Sequence, residues 1–117
     1  MKTPISFVQP NFQTGPKHLN AFYLPYTSGV LWAYAKQNKK ISNNFDVEYF
    51  VYKRHPFKEN FDKVKNSKLL FFSVYVWNYK YCLQLAKEVK EYNPEAIILF
   101  GGPQLPYSDS EFFDKHP

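Results

Sequence analysis

The sequence predicts an open α/β domain, a parallel sheet wound with helices on both sides. Strand-like and helix-like segments alternate from one end to the other. Two of the strand-like segments, "KLLFFSVYV" (Lys68–Val76) and "AIILFGG" (Ala96–Gly102), are apolar without alternation, as strands buried on both faces are. The chain has 117 residues, enough for one core and not for two.

Each element has its own signal. "PISFVQP" (Pro4–Pro10) is a short strand closed by a proline. "LPYTSGVLWAYAKQN" (Leu24–Asn38) is helical: Pro25 suits a first turn, and Ala33, Ala35, Lys36 and Gln37 favour helix. "DVEYFVYK" (Asp46–Lys53) has the Val, Tyr and Phe content of a strand. "FKENFDKVKN" (Phe57–Asn66) sets Phe57, Phe61 and Val64 at helical spacing. After the strand at Lys68–Val76, "YKYCLQLAKEVKEY" (Tyr79–Tyr92) is the clearest helix, with Cys82, Leu85 or Ala86, and Val89 on one face. Asn78 is its expected cap, and Asn93–Pro94 ends it. "SDSEFFDKH" (Ser108–His116) reads as a short helix capped by Ser108 or Asp109.

The order is β-α-β-α-β-α-β-α with right-handed crossovers. This is a Rossmann-like or flavodoxin-like doubly wound sheet, expected in the order 2-1-3-4. Such sheets usually carry a fifth strand, and the sequence reaches "DKHP" where it would begin. The expectation is a single domain over residues 1–117, incomplete at its C-terminal edge. The longest linker, Asn11–Tyr23, is too long for an ordinary βα turn, and loops of that kind are often functional.

Composition narrows the class. Aromatics make up 21% of the chain, too much apolar bulk for disorder. The net charge of +5 comes from scattered lysines on helices and loops, which argues against a nucleic-acid face. Cys82 is the only cysteine, so an intramolecular disulfide and a cysteine-cluster metal site are excluded for these residues. No run is long enough for a membrane span, and Pro4 interrupts what a signal peptide would need. A soluble cytoplasmic protein is expected.

Ligands of such sheets bind beyond the carboxyl ends of the strands, where chain order reverses. For the order 2-1-3-4 the tips at that crevice are "QPNFQTGP" (Gln9–Pro16), "SVYVWN" (Ser73–Asn78) and "GGPQLPY" (Gly101–Tyr107). They hold three of the four glycines, which stand at 15, 29, 101 and 102. Gly101–Gly102 allows close approach of a flat ligand or a turn with positive φ; on the pair alone an ordinary turn is the favoured reading. Ser73 interrupts large apolar residues and either donates to a buried acceptor or is a satisfied core serine. Tyr75, Trp77 and Tyr107 form either an aromatic wall or simple packing.

Common chemistries are missing. There is no G-x-G-x-x-G after the first strand and no G-x-x-x-x-G-K-[ST]. The tips of strands one and three carry Gln9 and Ser73 rather than the acidic residues of a phospho-receiver. His18, His55 and His116 lie far apart on different elements, and no Ser/His/Asp set or carboxylate pair is brought together by spacing. The residues describe a binding domain with no catalytic machinery of its own.

Taken together, "VQPNFQTGP", "YLPYTSGVLWAYAKQN", "FSVYVWN" and "NPEAIILFGGPQLPY" resemble the cobalamin-binding domain of cobalamin-dependent radical S-adenosylmethionine enzymes, over nearly the whole chain. The broader cobalamin-binding family carries D-x-H-x-x-G after strand one, Ser-x-Leu at strand three and Gly-Gly at strand four. Here Ser73-Val74-Tyr75 matches the second only at the serine, Gly101–Gly102 matches the third, and Pro10–Gly15 keeps Gly15 but has Pro10 and Phe12 in place of Asp and His. The resemblance implies a corrin over the strand tips, held without a protein histidine on cobalt. It implies a nucleotide tail descending between the sheet and the first helix, past Gly29 and Ser73. The implied cofactor-binding set is Pro10, Asn11, Phe12, Gly15, Gly29, Ser73, Val74, Tyr75, Trp77, Asn78, Gly101, Gly102, Pro103 and Gln104. A C-x-x-x-C-x-x-C motif is absent from these residues, so no iron–sulfur cluster is expected in them. The implied partner is a radical S-adenosylmethionine catalytic domain or subunit. The alternative is a structural or protein-interaction domain that keeps the fold without the corrinoid.

Overall fold

A computed structural model describes residues 1–16, 19, 21–54, 56–106 and 111–117. Its long strands are β1 (Thr3–Asn11), β4 (Phe45–Lys53), β5 (Leu69–Ser73) and β6 (Ile97–Gly101). Between β1 and β4 lie the short pair β2 (Gln13–Thr14) and β3 (Ala21–Phe22), then helices α1 (Tyr26–Ala35) and α2 (Lys39–Asn44). Helix α3 (Phe57–Val64) links β4 to β5, α4 (Tyr79–Tyr92) links β5 to β6, and α5 (Phe112–Lys115) follows β6. The expected caps Ser108 and Asp109 lie outside the described residues. No described helix is long and apolar enough to cross a membrane.

The long strands form one four-stranded sheet in the order β4-β1-β5-β6, with every pairing parallel. Counting these four alone, that is the expected order 2-1-3-4, and the reversal falls between β1 and β5. Phe7 pairs with Phe50 on one side and Phe71 on the other, and Val8 with Val51 and Phe72. Alternation along each strand therefore gives the sheet two different faces.

One face carries Val8, Val51, Leu70, Phe72 and Val74, and it is sealed by α3 and α4. Val64, Tyr81, Cys82, Leu85 and Val89 complete a cluster that is almost wholly buried. The other face carries the stacked rings of Phe50, Phe7 and Phe71, with centroids 5.3 and 5.1 Å apart. Among the described residues only α1 crosses it, touching Phe7 through Trp32. This helix is apolar around its circumference, yet the one residue it buries is Ser28. Leu31 remains 56% exposed, and on β6 Ile97 and Leu99 remain 62% and 54% exposed. The larger buried cluster lies on one side of the sheet, and the other side is more open although Ile5 and Phe7 are buried there.

Several elements depart from expectation. β5 stops at Ser73 rather than Val76. The Asn11–Tyr23 linker contains the β2–β3 pair, with Gln13 opposite Phe22 and Thr14 opposite Ala21. Helix α2 is an addition, in a polar stretch started by Asn38, whose side chain accepts from Lys40 N.

Candidate ligand-binding crevice

The tips of β1 and β5 are locked by one side chain. Asn78 is fully buried. Its Oδ1 accepts from Tyr75 N at 2.8 Å, and its Nδ2 donates to Pro10 O at 3.2 Å and Ser73 O at 3.0 Å. It stands at the N-cap position, just before α4, but its side chain makes no cap bond to that helix. The expected cap is thus a clamp between two strand tips, because a buried carbonyl pair and a bent β5 need the amide more than the helix does. Asn11 does related work above β1, donating to Tyr23 O and Leu24 O at 3.2 and 3.3 Å. That bond brings the long linker back over the sheet and into α1.

The β5 and β6 tips are joined through backbone. Val74 N donates to Gly101 O at 2.7 Å, and Gln104 N donates to Val74 O at 3.4 Å. Gly102 has φ +117°, and a Cβ there would stand 2.8 Å from Val74 N. Gly101 differs: a Cβ there would meet nothing within 4 Å. The glycine pair therefore divides its work. Gly102 is required by the turn and the close strand-tip contact, and Gly101 faces open space. Gly15 also has positive φ, +72°, in the linker.

Between α1 and these tips lies a cavity of about 190 Å³. Phe7, Phe71, Phe72, Leu31 and Leu99 supply apolar wall, and Gly101 and Gly102 form one rim. Thr27, Ser28, Ser73 and Tyr75 bring hydroxyls. Ser28 is held by Gln9, whose Oε1 accepts from both Ser28 N and Ser28 Oγ at 3.1 Å. The Thr27 and Tyr75 hydroxyls are 3.2 Å apart. Among the described residues no charged side chain lines the cavity, which suits a neutral ring.

Aromatics stand above. Tyr75 and Trp77 are stacked with centroids 4.6 Å apart and planes 5° from parallel. Phe12 meets Trp77 edge-on at 5.8 Å and Tyr23 at 5.2 Å. The Tyr75 and Trp77 expected from sequence are thus side by side; Tyr107 lies outside the described residues, as do His18 and His55.

The structure sorts the expected site residues by reach. Phe12, Gly15, Gly29, Trp77, Gly101, Gly102, Pro103 and Gln104 are exposed, and Ser73 and Tyr75 are half-buried. Pro10, Asn11, Val74 and Asn78 are buried and act as the frame beneath. Thr27 and Ser28 line the cavity without having been singled out, and Gln9, expected only as a strand tip, braces it through Ser28. Their signal was present, as a glutamine ending an apolar strand and two small hydroxyls in an apolar helix beside Gly29. Cys82 takes no part: burial pushes its thiol up to about 12.

A larger hollow of about 750 Å³ runs along the outer edge of β6, between α4 and α5. Ile98, Phe100, Phe112 and His116 line it, with Lys90 beside them already donating to Pro94 O and Ala96 O at 2.7 Å. Its size reflects a strand with a neighbour on one side only. The strand-tip crevice, with its convergent backbone and hydroxyl groups, is the better ligand site.

Fold and site define an open parallel α/β domain with an uncharged crevice at its strand tips, walled by aromatics and rimmed by glycine. No family model matches the chain. Over 95 residues it is 36% identical to the cobalamin-dependent radical SAM methyltransferase TokK of Streptomyces tokunonensis, a match covering 81% of this chain and 14% of that protein. Over 100 residues it is 32% identical to the 2-(S-pantetheinyl)-carbapenam-3-carboxylate methyltransferase of Streptantibioticus cattleyicolor, covering 85% of this chain and 15% of that one. The chain is homologous to one segment of cobalamin-dependent radical S-adenosylmethionine methyltransferases, in line with the resemblance of its strand tips. It spans about one seventh of the length of these relatives.

Proposed function

We propose that this chain is a corrinoid-binding module that serves a radical S-adenosylmethionine methyltransferase, as a separate unit or as one part of a longer polypeptide. The observation that carries the reading is the crevice between α1 and the tips of β1, β5 and β6, in a chain homologous to a cobalamin-dependent enzyme. The residues fit a large flat cofactor. Gly101 offers space where any other residue would project a side chain. Phe12, Tyr75 and Trp77 offer aromatic surface, and the cavity behind α1 offers room for a tail.

When bound, a corrinoid supplies cobalt chemistry suited to one-carbon transfer. The residues of this chain hold and orient it. Gly101, Pro103 and Gln104 form the floor, Ser73 and Tyr75 present hydroxyls, and Asn78 keeps the floor level by tying β1 to β5. Phe12 stands where the broader family has its histidine, so a bound corrinoid would find no histidine ligand at this position of the loop. The iron–sulfur cluster and the S-adenosylmethionine site belong to the catalytic partner, since Cys82 is the only cysteine in these residues.

The test is direct. The chain is mixed with hydroxocobalamin and gel-filtered. Red protein eluting at its own volume supports the reading. Colourless, folded protein at a micromolar excess of corrinoid sinks it and leaves the interaction-domain alternative.

A further inference from the structure

The outer edge of β6 is an open hydrogen-bond ladder, whatever the strand-tip crevice holds. Ile97 N donates to Lys68 O and Gly101 O accepts from Val74 N, so alternate residues of β6 turn their backbone toward β5. The backbone of Ile98 and Phe100 turns outward, where the sheet has no further strand among the described residues. Ala96 O, also on this side, is taken by Lys90 Nζ at 2.7 Å. The open ladder is therefore Ile98 and Phe100, with Leu99 between them.

The two edges of the sheet differ. β4 carries Asp46, Glu48 and Lys53, and its register on β1 is shifted at two places, both of which blunt an edge. β6 has no charged residue in Ile97–Gly101, and its register on β5 runs unbroken from Leu69 opposite Ile97 to Ser73 opposite Gly101. Apolar and unpaired, it is a template for another strand.

We infer that β6 pairs antiparallel with β6 of a second copy of this chain, about a two-fold axis at Leu99. In this register the strand is complementary to itself. Ile98 exchanges backbone hydrogen bonds with Phe100 of the other copy, and their side chains meet as an aliphatic–aromatic pair beside the hollow lined by Phe112. On the opposite face Leu99 meets Leu99, and the exposed Ile97 meets Gly101, which has no side chain to obstruct it. No like charges are set opposite each other within the paired strands, although each chain carries a net charge of +5. A bare strand pair falls short of the roughly 800 Å² per partner of a stable interface. The exposed Ile97, Leu99 and Phe113 and the hollow beside them add apolar surface to it.

Sedimentation velocity of the chain from about 5 to 500 μM is expected to show monomer passing into dimer. Leu99→Cys sets two thiols on the axis, with Cα atoms about 4.5 Å apart, inside the roughly 4.4–6.8 Å span of a disulfide. Mild oxidation is expected to link that variant into a covalent dimer on a non-reducing gel. Ile97→Cys, with its two copies about 14 Å apart, is expected to give at least about tenfold less. Both positions are exposed, so both variants keep the fold, and the native Cys82 is buried. A monomer throughout the range overturns the pairing and leaves the edge to a strand of another polypeptide. Association that runs past the dimer, or equal cross-linking at the two positions, overturns the two-fold register.

Discussion

Gly102 rests on the backbone of Val74, so closely that a Cβ would press on its amide nitrogen and carbonyl alike. With φ at +117° the residue is doubly constrained, by conformation and by space. Gly102→Ala is expected to destabilise the fold by about 2–3 kcal/mol, read from the midpoint of urea unfolding. Gly101→Ala is expected to leave that midpoint within about 0.5 kcal/mol or raise it slightly. Equal costs for the two would mean the strand tips are not joined as described.

Gly101 also offers the cleaner test of the floor. Its Cβ direction is open, so Gly101→Val keeps the fold and places a branched side chain in the crevice. Hydroxocobalamin affinity is expected to fall at least about tenfold, by overpacking against the ligand. Unchanged affinity in the folded variant would move the corrin off this strand tip.

Trp77 stands 40% exposed beside Tyr75, with Phe12 against its edge. Trp77→Ala removes aromatic surface from the crevice and little from the core. Stability is expected to drop by about 0.5–1.5 kcal/mol, while corrinoid affinity drops by an order of magnitude. The decisive measurement is the ratio of the two, since a purely structural tryptophan would lower stability and leave affinity intact.

Asn78 supplies three hydrogen bonds from a position with no access to water. Asn78→Leu strands a buried amide and leaves two carbonyls without this donor, and is expected to cost about 2–4 kcal/mol in urea unfolding. Asn78→Asp is the informative companion. A carboxylate beside Pro10 O and Ser73 O is repelled, so that variant is expected to regain stability as pH falls toward 5.

Cys82 makes a pH prediction. Its thiol is pushed up to about 12 when folded, by burial, from 9.0. The raised value means the folded state keeps the proton that the unfolded state loses. Its contribution is whole below about pH 9 and falls above it, by about 1.4 kcal/mol per pH unit. Urea midpoints between pH 8 and 10.5 are expected to drop more steeply in the native chain than in Cys82→Ala. Parallel slopes would remove the thiol from the account.

The sheet order and the long elements were legible because their signals are local and repeated. Tyr79–Tyr92 begins and ends where its periodicity and Pro94 place it. What was hidden depends on partners distant in sequence. β5 looked as though it continued to Val76, but Asn78 takes the Tyr75 amide and turns the chain at Ser73. Gln9 and Ser28 meet across the crevice although 19 positions separate them. Strands of two residues, such as β2 and β3, carry no periodicity to read. Helix α2 escaped because "KKISNN" shows no apolar face.

The one-sided core divides the molecule into two tiers of stability. Amide hydrogens in α4 and β5, sealed by the buried cluster, are expected to exchange only when the whole domain opens. Those of α1, which buries little beyond Ser28, are expected to exchange through a local opening of much lower free energy. A ligand lodged behind the helix closes that lower tier first, adding about 2.7 kcal/mol of protection at a hundredfold excess over its dissociation constant. Hydrogen exchange in this single helix then becomes a gauge of occupancy, slow when the crevice is filled and fast when it is empty, while the far face of the sheet reports nothing.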